Sequence, residues 1–230
     1  MREFQKGLRG CCERSEFRVV QYSLQREHVH LLVEADSREA LGRGMKSVGA
    51  RLARSVIRVF ERAGGVLDGR YHLRLLRTPR DVRTALAYVL LNARRHWFKR
   101  FGVPPPERID EASSGRWFDG WRIGLPPVAL DGDPEIAIPR TWLMCVGWRR
   151  HGLIDLCEVP GTRAAVGSAT AASRQARAHP AGGTHLTASC APHGSSAPRF
   201  PGVGTIGSMR RDGCTAPCRT VFNVGALRGT

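Results

Sequence analysis

Two short stretches near the start of the chain carry the first regular pattern. Phe17 to Leu24 (Phe-Arg-Val-Val-Gln-Tyr-Ser-Leu) and His28 to Ala35 both read as strands. Only Gln25-Arg26-Glu27 separates them, a spacing that predicts a hairpin. The period then lengthens. Leu41, Met45, Val48, Leu52, Val56, Val59, Phe60 and Ala63 recur at threes and fours, the stripe of an amphipathic helix. Asp36 with Glu39 three residues on predicts a capping box at its start, and Ala63-Gly64-Gly65 predicts its end. Arg70 to Leu76 reads as a third strand. Thr78 as a cap with Pro79 at the first helical position opens a second long helix to about Arg100, where Pro104-Pro105-Pro106 stops it. Its core stripe is Val82, Leu86, Val89, Leu90, Ala93 and Trp97. Residues 1–15 read as the end of a helix. The order β-β-α-β-α predicts an α+β fold, a ferredoxin-like antiparallel sheet with helices on one face and its first strand missing.

The pattern stops near Gly161. From Arg163 to Thr230 there is no Trp, Tyr, Lys or Glu, and eight Arg face a single acidic residue, Asp212. Such sequence has too few large apolar groups to offset the entropy of ordering its backbone, so a disordered tail is expected. The chain therefore divides into a body domain over 1–102, a helical and loop extension over 103–161 and a tail over 162–230. Cys214 and Cys218, with His185 and His193 upstream, match no paired zinc-ligand spacing well.

Charge sharpens the picture. Lys plus Arg is 36 against 20 Asp plus Glu, a formal net charge of +16, and all but three of the basic residues are Arg. This balance suits a phosphate-rich partner, although GC-rich coding sequence also enriches Arg. No run of eighteen apolar residues exists, so no membrane span is expected. An odd seven cysteines and an N-terminus without a secretory pattern point to the reducing cytoplasm.

Candidate chemistry gathers at two places. His28-Val29-His30 heads a strand, where side chains two apart share a face, so both imidazoles can converge on one ion while Val29, Leu31 and Val33 face the core. Two solvent-facing histidines would produce the same triplet. On the second helix, Tyr88 lies about 150° from the centre of the core stripe, with Asn92 and Arg95 on the same side. A phenol there is either an exposed tyrosine or a nucleophile whose target a metal polarises.

These residues carry a resemblance. Val20-Gln21-Tyr22-Ser23 leading to His28-Val29-His30-Leu31-Leu32-Val33-Glu34, then Gly69-Arg70-Tyr71-His72, then Ala87-Tyr88-Val89-Leu90-Leu91-Asn92-Ala93-Arg94-Arg95 resemble the single-tyrosine HUH transposases. The likeness is greatest to the REP-associated tyrosine transposases of bacteria. Ser113-Ser114, Trp117 to Trp121 and Pro139 to Leu153 are similar to an extension found in a subgroup of these proteins. The resemblance implies that His28, His30 and Asn92 hold a divalent metal, Mg or Mn, and that Tyr88 attacks single-stranded DNA to leave a 5′-phosphotyrosine link and a free 3′-hydroxyl. It implies a small hairpin, REP-like element in that DNA, with Arg70, His72, Arg94 and Arg95 as DNA-contacting candidates. Arg70 and His72 are equally read as polar residues of an edge strand.

The family begins with one more strand, placed beside the one that bears His28 and His30. Its absence before Met1 predicts an unpaired edge there, as in a truncated copy. A non-catalytic basic nucleic-acid-binding protein, including a decayed transposase, is the alternative reading. A zinc hydrolase on His28 and His30 would need Glu34 or His72 as a third ligand.

Overall fold

The computed structural model describes residues 1–26, 28–61, 64–123, 133–161 and 219–227. Helix α1 (Arg2–Arg9) leads into a two-residue strand β1 (Glu13–Arg14) and the hairpin of β2 (Phe17–Leu24) and β3 (His28–Ala35). Helix α2 (Arg38–Phe60), β4 (Leu67–Leu75), α3 (Pro79–Leu90) and α4 (Asn92–Phe101) follow. The extension supplies a single-turn helix, α5 (Trp142–Cys145), between two 3-10 turns at Ser114–Trp117 and Gly147–His151, and β5 (Arg219–Leu227) comes last. All of these belong to one compact unit.

The α+β class stands, but the helices occupy both faces of the sheet. Leu8 of α1 and Leu41, Met45, Val48 and Leu52 of α2 bury Phe17, Val19, Val29, Leu31 and Val33 on one face. Val82, Leu86, Val89 and Leu90 of α3, with Phe118, Trp121, Trp148 and Ile154 of the extension, bury Val20 and Leu32 on the other. The reason lies in β2 and β3, which are buried at nearly every position and so need cover above and below. A register shift between Val19 and Gln21 marks a bulge in β2. The added residue inverts the alternation, so Phe17, Val19, Tyr22 and Leu24 all join the α1–α2 core while Gln21 and Ser23 turn to the extension.

Helix ends differ from expectation in small ways. Ser37, not Asp36, caps α2, accepting from the Ala40 N–H. Asp36 instead stands 3.8 Å from the Arg18 guanidinium. The helix ends at Phe60 with Glu61 left-handed at φ 48, leaving Val59 and Phe60 exposed rather than in the core. Thr78 caps α3 as expected, with Pro79 at its start.

The largest departure is β5. Residues 219–227 fall in the segment expected to be disordered, yet they form a strand inserted between β3 and β4, giving the order β1-β2-β3-β5-β4. Pairing with β3 is antiparallel and unbroken, from His28 opposite Ala226 to Ala35 opposite Arg219. On its other side β5 pairs antiparallel with β4, Leu67 opposite Leu227 and Leu75 opposite Val221. The unpaired edge expected on β3 is therefore filled, and its N–H and C=O groups meet a partner on each side. The rest of the expected tail, with Cys190, Cys214, Cys218, His185 and His193, lies outside the described residues.

Candidate active site

His30, Leu32 and Glu34 of β3 point to the α3 side of the sheet, away from the α2 core. Helix α3 crosses that face, and its last turn sets Tyr88 over the histidines. The His30 and Tyr88 rings meet edge to face with centroids 5.1 Å apart, and His28 and His30 lie 4.5 Å apart. The phenol and both imidazoles thus share one face, separated by sixty residues of chain.

A single long helix was expected beyond Tyr88, and here the chain departs from it. Leu91, at φ −112 and ψ 18, interrupts the helix between α3 and α4 while its N–H still reaches the Ala87 carbonyl. The kink turns α4 away from the path the core stripe would have followed. Trp97, expected in the core, is 42 % exposed. Arg94 is instead 8 % exposed, donating to the carbonyls of Pro105 at 2.9 Å and Pro106 at 3.2 Å. Arg94 holds the loop after α4, which takes it out of the DNA-contacting set.

Asn92, the first residue of α4, is fully buried, and neither its amide oxygen nor its amide nitrogen has a hydrogen-bond partner among the described residues. Buried polar groups are nearly always paired. Arg95, one turn from Leu91, donates to the Tyr88 hydroxyl at 2.8 Å, with its guanidinium carbon 5.0 Å from the ring centroid. His96 was not singled out from sequence, yet its ring lies 5.9 Å from that of His28. Four residues after Asn92, it falls on the same face of α4, a spacing that could have revealed it.

The site is electropositive. Burial pushes the His30 imidazole down to about 3, and His28, His96 and Arg95 act in the same direction. His30 is therefore neutral near pH 7, the form that ligates metals. Among the described residues no three His, Cys, Asp or Glu side chains form a ready metal cage; the amide oxygen of Asn92 is the additional donor that helix α4 brings.

The remaining candidates are dispersed. His72 on β4 and His30 both pair with Val224 of β5, so the two histidines stand on the same sheet face, about two strand spacings or 10 Å apart. His72 is exposed; Arg70 lies on β4, its side chain outside the description. Glu34 is fully committed elsewhere: it accepts from the Arg140 N–H at 2.7 Å, the Thr141 N–H at 2.9 Å and the Thr141 hydroxyl at 2.6 Å. That removes it as a third zinc ligand and leaves the hydrolase reading without support.

Comparison with known proteins adds one finding. Residues 1–70 match the family model described as Transposase IS200 like. The match covers less than a third of the chain and supports a transposase relationship. It spans β2, β3 and α2, hence His28 and His30, and stops before Tyr88 and Asn92. No curated protein and no solved structure matches the chain. No helix among the described residues is long and apolar enough to cross a membrane.

Proposed function

We propose that this chain is a metal-dependent endonuclease and strand transferase for single-stranded DNA, a transposase of the single-tyrosine HUH kind, acting through a 5′-phosphotyrosine intermediate. One observation carries the reading: a half-buried phenol stands 5.1 Å from a buried imidazole, one turn before a buried amide that lacks a partner among the described residues. The transposase match to residues 1–70, which contain both histidines, agrees with it.

Two imidazole nitrogens and an amide oxygen form a mixed donor set that fits Mg or Mn, with His28, His30 and Asn92 as the holders. A bound divalent ion supplies Lewis-acid polarisation of the scissile phosphate. The protein's own groups do the rest. Burial keeps His30 neutral and available. Arg95 holds the Tyr88 hydroxyl in place and brings positive charge to the phosphate that approaches it. The Tyr88 oxygen forms a bond to phosphorus and gives up its proton to solvent. The bond from phosphorus to the 3′-oxygen breaks, and that oxygen leaves as a hydroxyl after taking a proton. Because the new phosphotyrosine is itself a diester, a 3′-hydroxyl can reverse the step and join strands without ATP. The likeness to REP-associated transposases extends the proposed substrate to a strand bearing a small hairpin.

Incubation with a labelled single strand and Mn tests this. A protein–DNA adduct that survives denaturation is expected, and Tyr88→Phe abolishes it. An unchanged adduct from the Phe variant means that Tyr88 is not the nucleophile. Binding that weakens steeply with salt but never yields an adduct favours the non-catalytic nucleic-acid-binding protein.

A further inference from the structure

Beyond the kink at Leu91, Trp97 and Phe101 are 42 % and 50 % exposed, with ring centroids 4.5 Å apart on adjacent turns of α4. Val103 beyond them is 58 % exposed. Two large aromatic side chains left together in water mark an interaction surface more often than a scattered apolar residue does. Their setting says which kind. Helix α4, Asn92-Ala-Arg-Arg-His-Trp-Phe-Lys-Arg-Phe101, contains no acidic residue. Exposed Arg100 lies beside the aromatic pair, its guanidinium carbon 5.2 Å from the Phe101 ring centroid. At 1.5 Å per residue, Trp97 lies about 7.5 Å and Phe101 about 13.5 Å along the axis from Asn92. Aromatic faces interleaved with cations are the chemistry that holds unpaired nucleobases and their phosphates.

We propose that Trp97 and Phe101 form a stacking platform for unpaired bases of the single strand, with Arg100 on its phosphates. The platform contributes affinity without reading sequence. This deepens the proposed function and rests on it for the polarity of the strand, but the binding itself is measured without cleavage.

The experiment uses the full chain in EDTA with two fluorescent oligonucleotides of equal length, one of thymidines and one abasic. Trp97→Ala and Phe101→Ala are each expected to weaken thymidine-strand binding about five- to hundredfold, the range for loss of one stacked base. They are expected to leave abasic-strand binding and the salt slope unchanged. Trp97→Phe, which keeps a ring, restores most of the affinity. Equal losses on the abasic strand, or no loss on thymidines, overturn the proposal. So does sedimentation showing that Trp97→Ala breaks up an oligomer, because the face is then a surface for a second copy of this chain. Since Trp97 and Phe101 are exposed, both variants are expected to fold. Loss of the platform with adduct formation intact at saturating DNA leaves the Tyr88 chemistry standing, while loss of the adduct in Tyr88→Phe leaves the platform untouched.

Discussion

Two buried carboxylates and one buried amide make the most instructive contrast in the molecule. Glu34 and Glu135 are fully buried, and both are saturated. Glu34 gathers the backbone and hydroxyl of Thr141, the Arg140 N–H and Arg18. Glu135 accepts from Trp117 at 2.7 Å, Arg9 at 3.2 Å, Tyr22 at 3.4 Å and Arg116. Together they fasten the extension to the sheet from both directions. Asn92 is as deeply buried and has no hydrogen-bond partner among the described residues. Satisfied burial builds the scaffold; the Asn92 amide spends none of its hydrogen-bonding capacity there. The two buried or half-buried tyrosines divide the same way. Tyr22 leans on Glu135, and burial with that carboxylate pushes its phenol well up, whereas Tyr88 takes its hydrogen bond from a cation.

Removing a saturated group gives the largest stability effect. Glu34→Ala strands two backbone N–H groups and removes one of the carboxylates that face the buried Arg18 guanidinium, and is expected to lower stability by about 3–5 kcal/mol, read as a lower urea midpoint. Asn92→Leu is expected to do the reverse. Replacing an unpaired buried amide with an apolar group gains about 1–3 kcal/mol while Mn binding, followed by calorimetry, is lost. A destabilised Asn92→Leu protein would erase the contrast.

Acid gives a more gradual test. The His30 imidazole is depressed in the folded protein from 6.5 to about 3, so below 6.5 the unfolded chain binds more protons than the folded one. The stability that neutral His30 contributes is complete above 6.5 and is lost progressively as the pH falls toward 3. In chemical unfolding across that window, His30→Gln is expected to flatten the slope. The smallest effect belongs to the exposed pair of Arg43 with Glu16, 64 % and 55 % accessible. Arg43→Ala is expected to change stability by no more than about 1 kcal/mol.

How far the sequence reached follows from the range of the forces. Local patterns were legible: β2 and β3 have the expected bounds, Thr78 caps α3, and the wheel that placed Tyr88 off the core stripe is what sets it over His30. Long-range pairings were not. Nothing local tells Glu34 that it meets Thr141, or Arg94 that it meets the carbonyls of Pro105 and Pro106. The kink at Leu91 defeated the wheel because one irregular residue redirects every side chain after it, Trp97 included. Strand β5 sits in sequence with little period of its own, and its pairing is fixed by β3 and β4.

That last strand has a consequence for how the protein is made. The gap between β3 and β4 is closed by residues that leave the ribosome more than 140 positions after β4, on the order of ten seconds later at ordinary elongation rates. Until then the histidine strand has no neighbour on that side, and the sheet assembles around its final arrival by contacts among the most distant in sequence that the chain makes. A copy halted by a premature stop codon would carry every residue of the candidate site and still lack the strand that holds two of them in register.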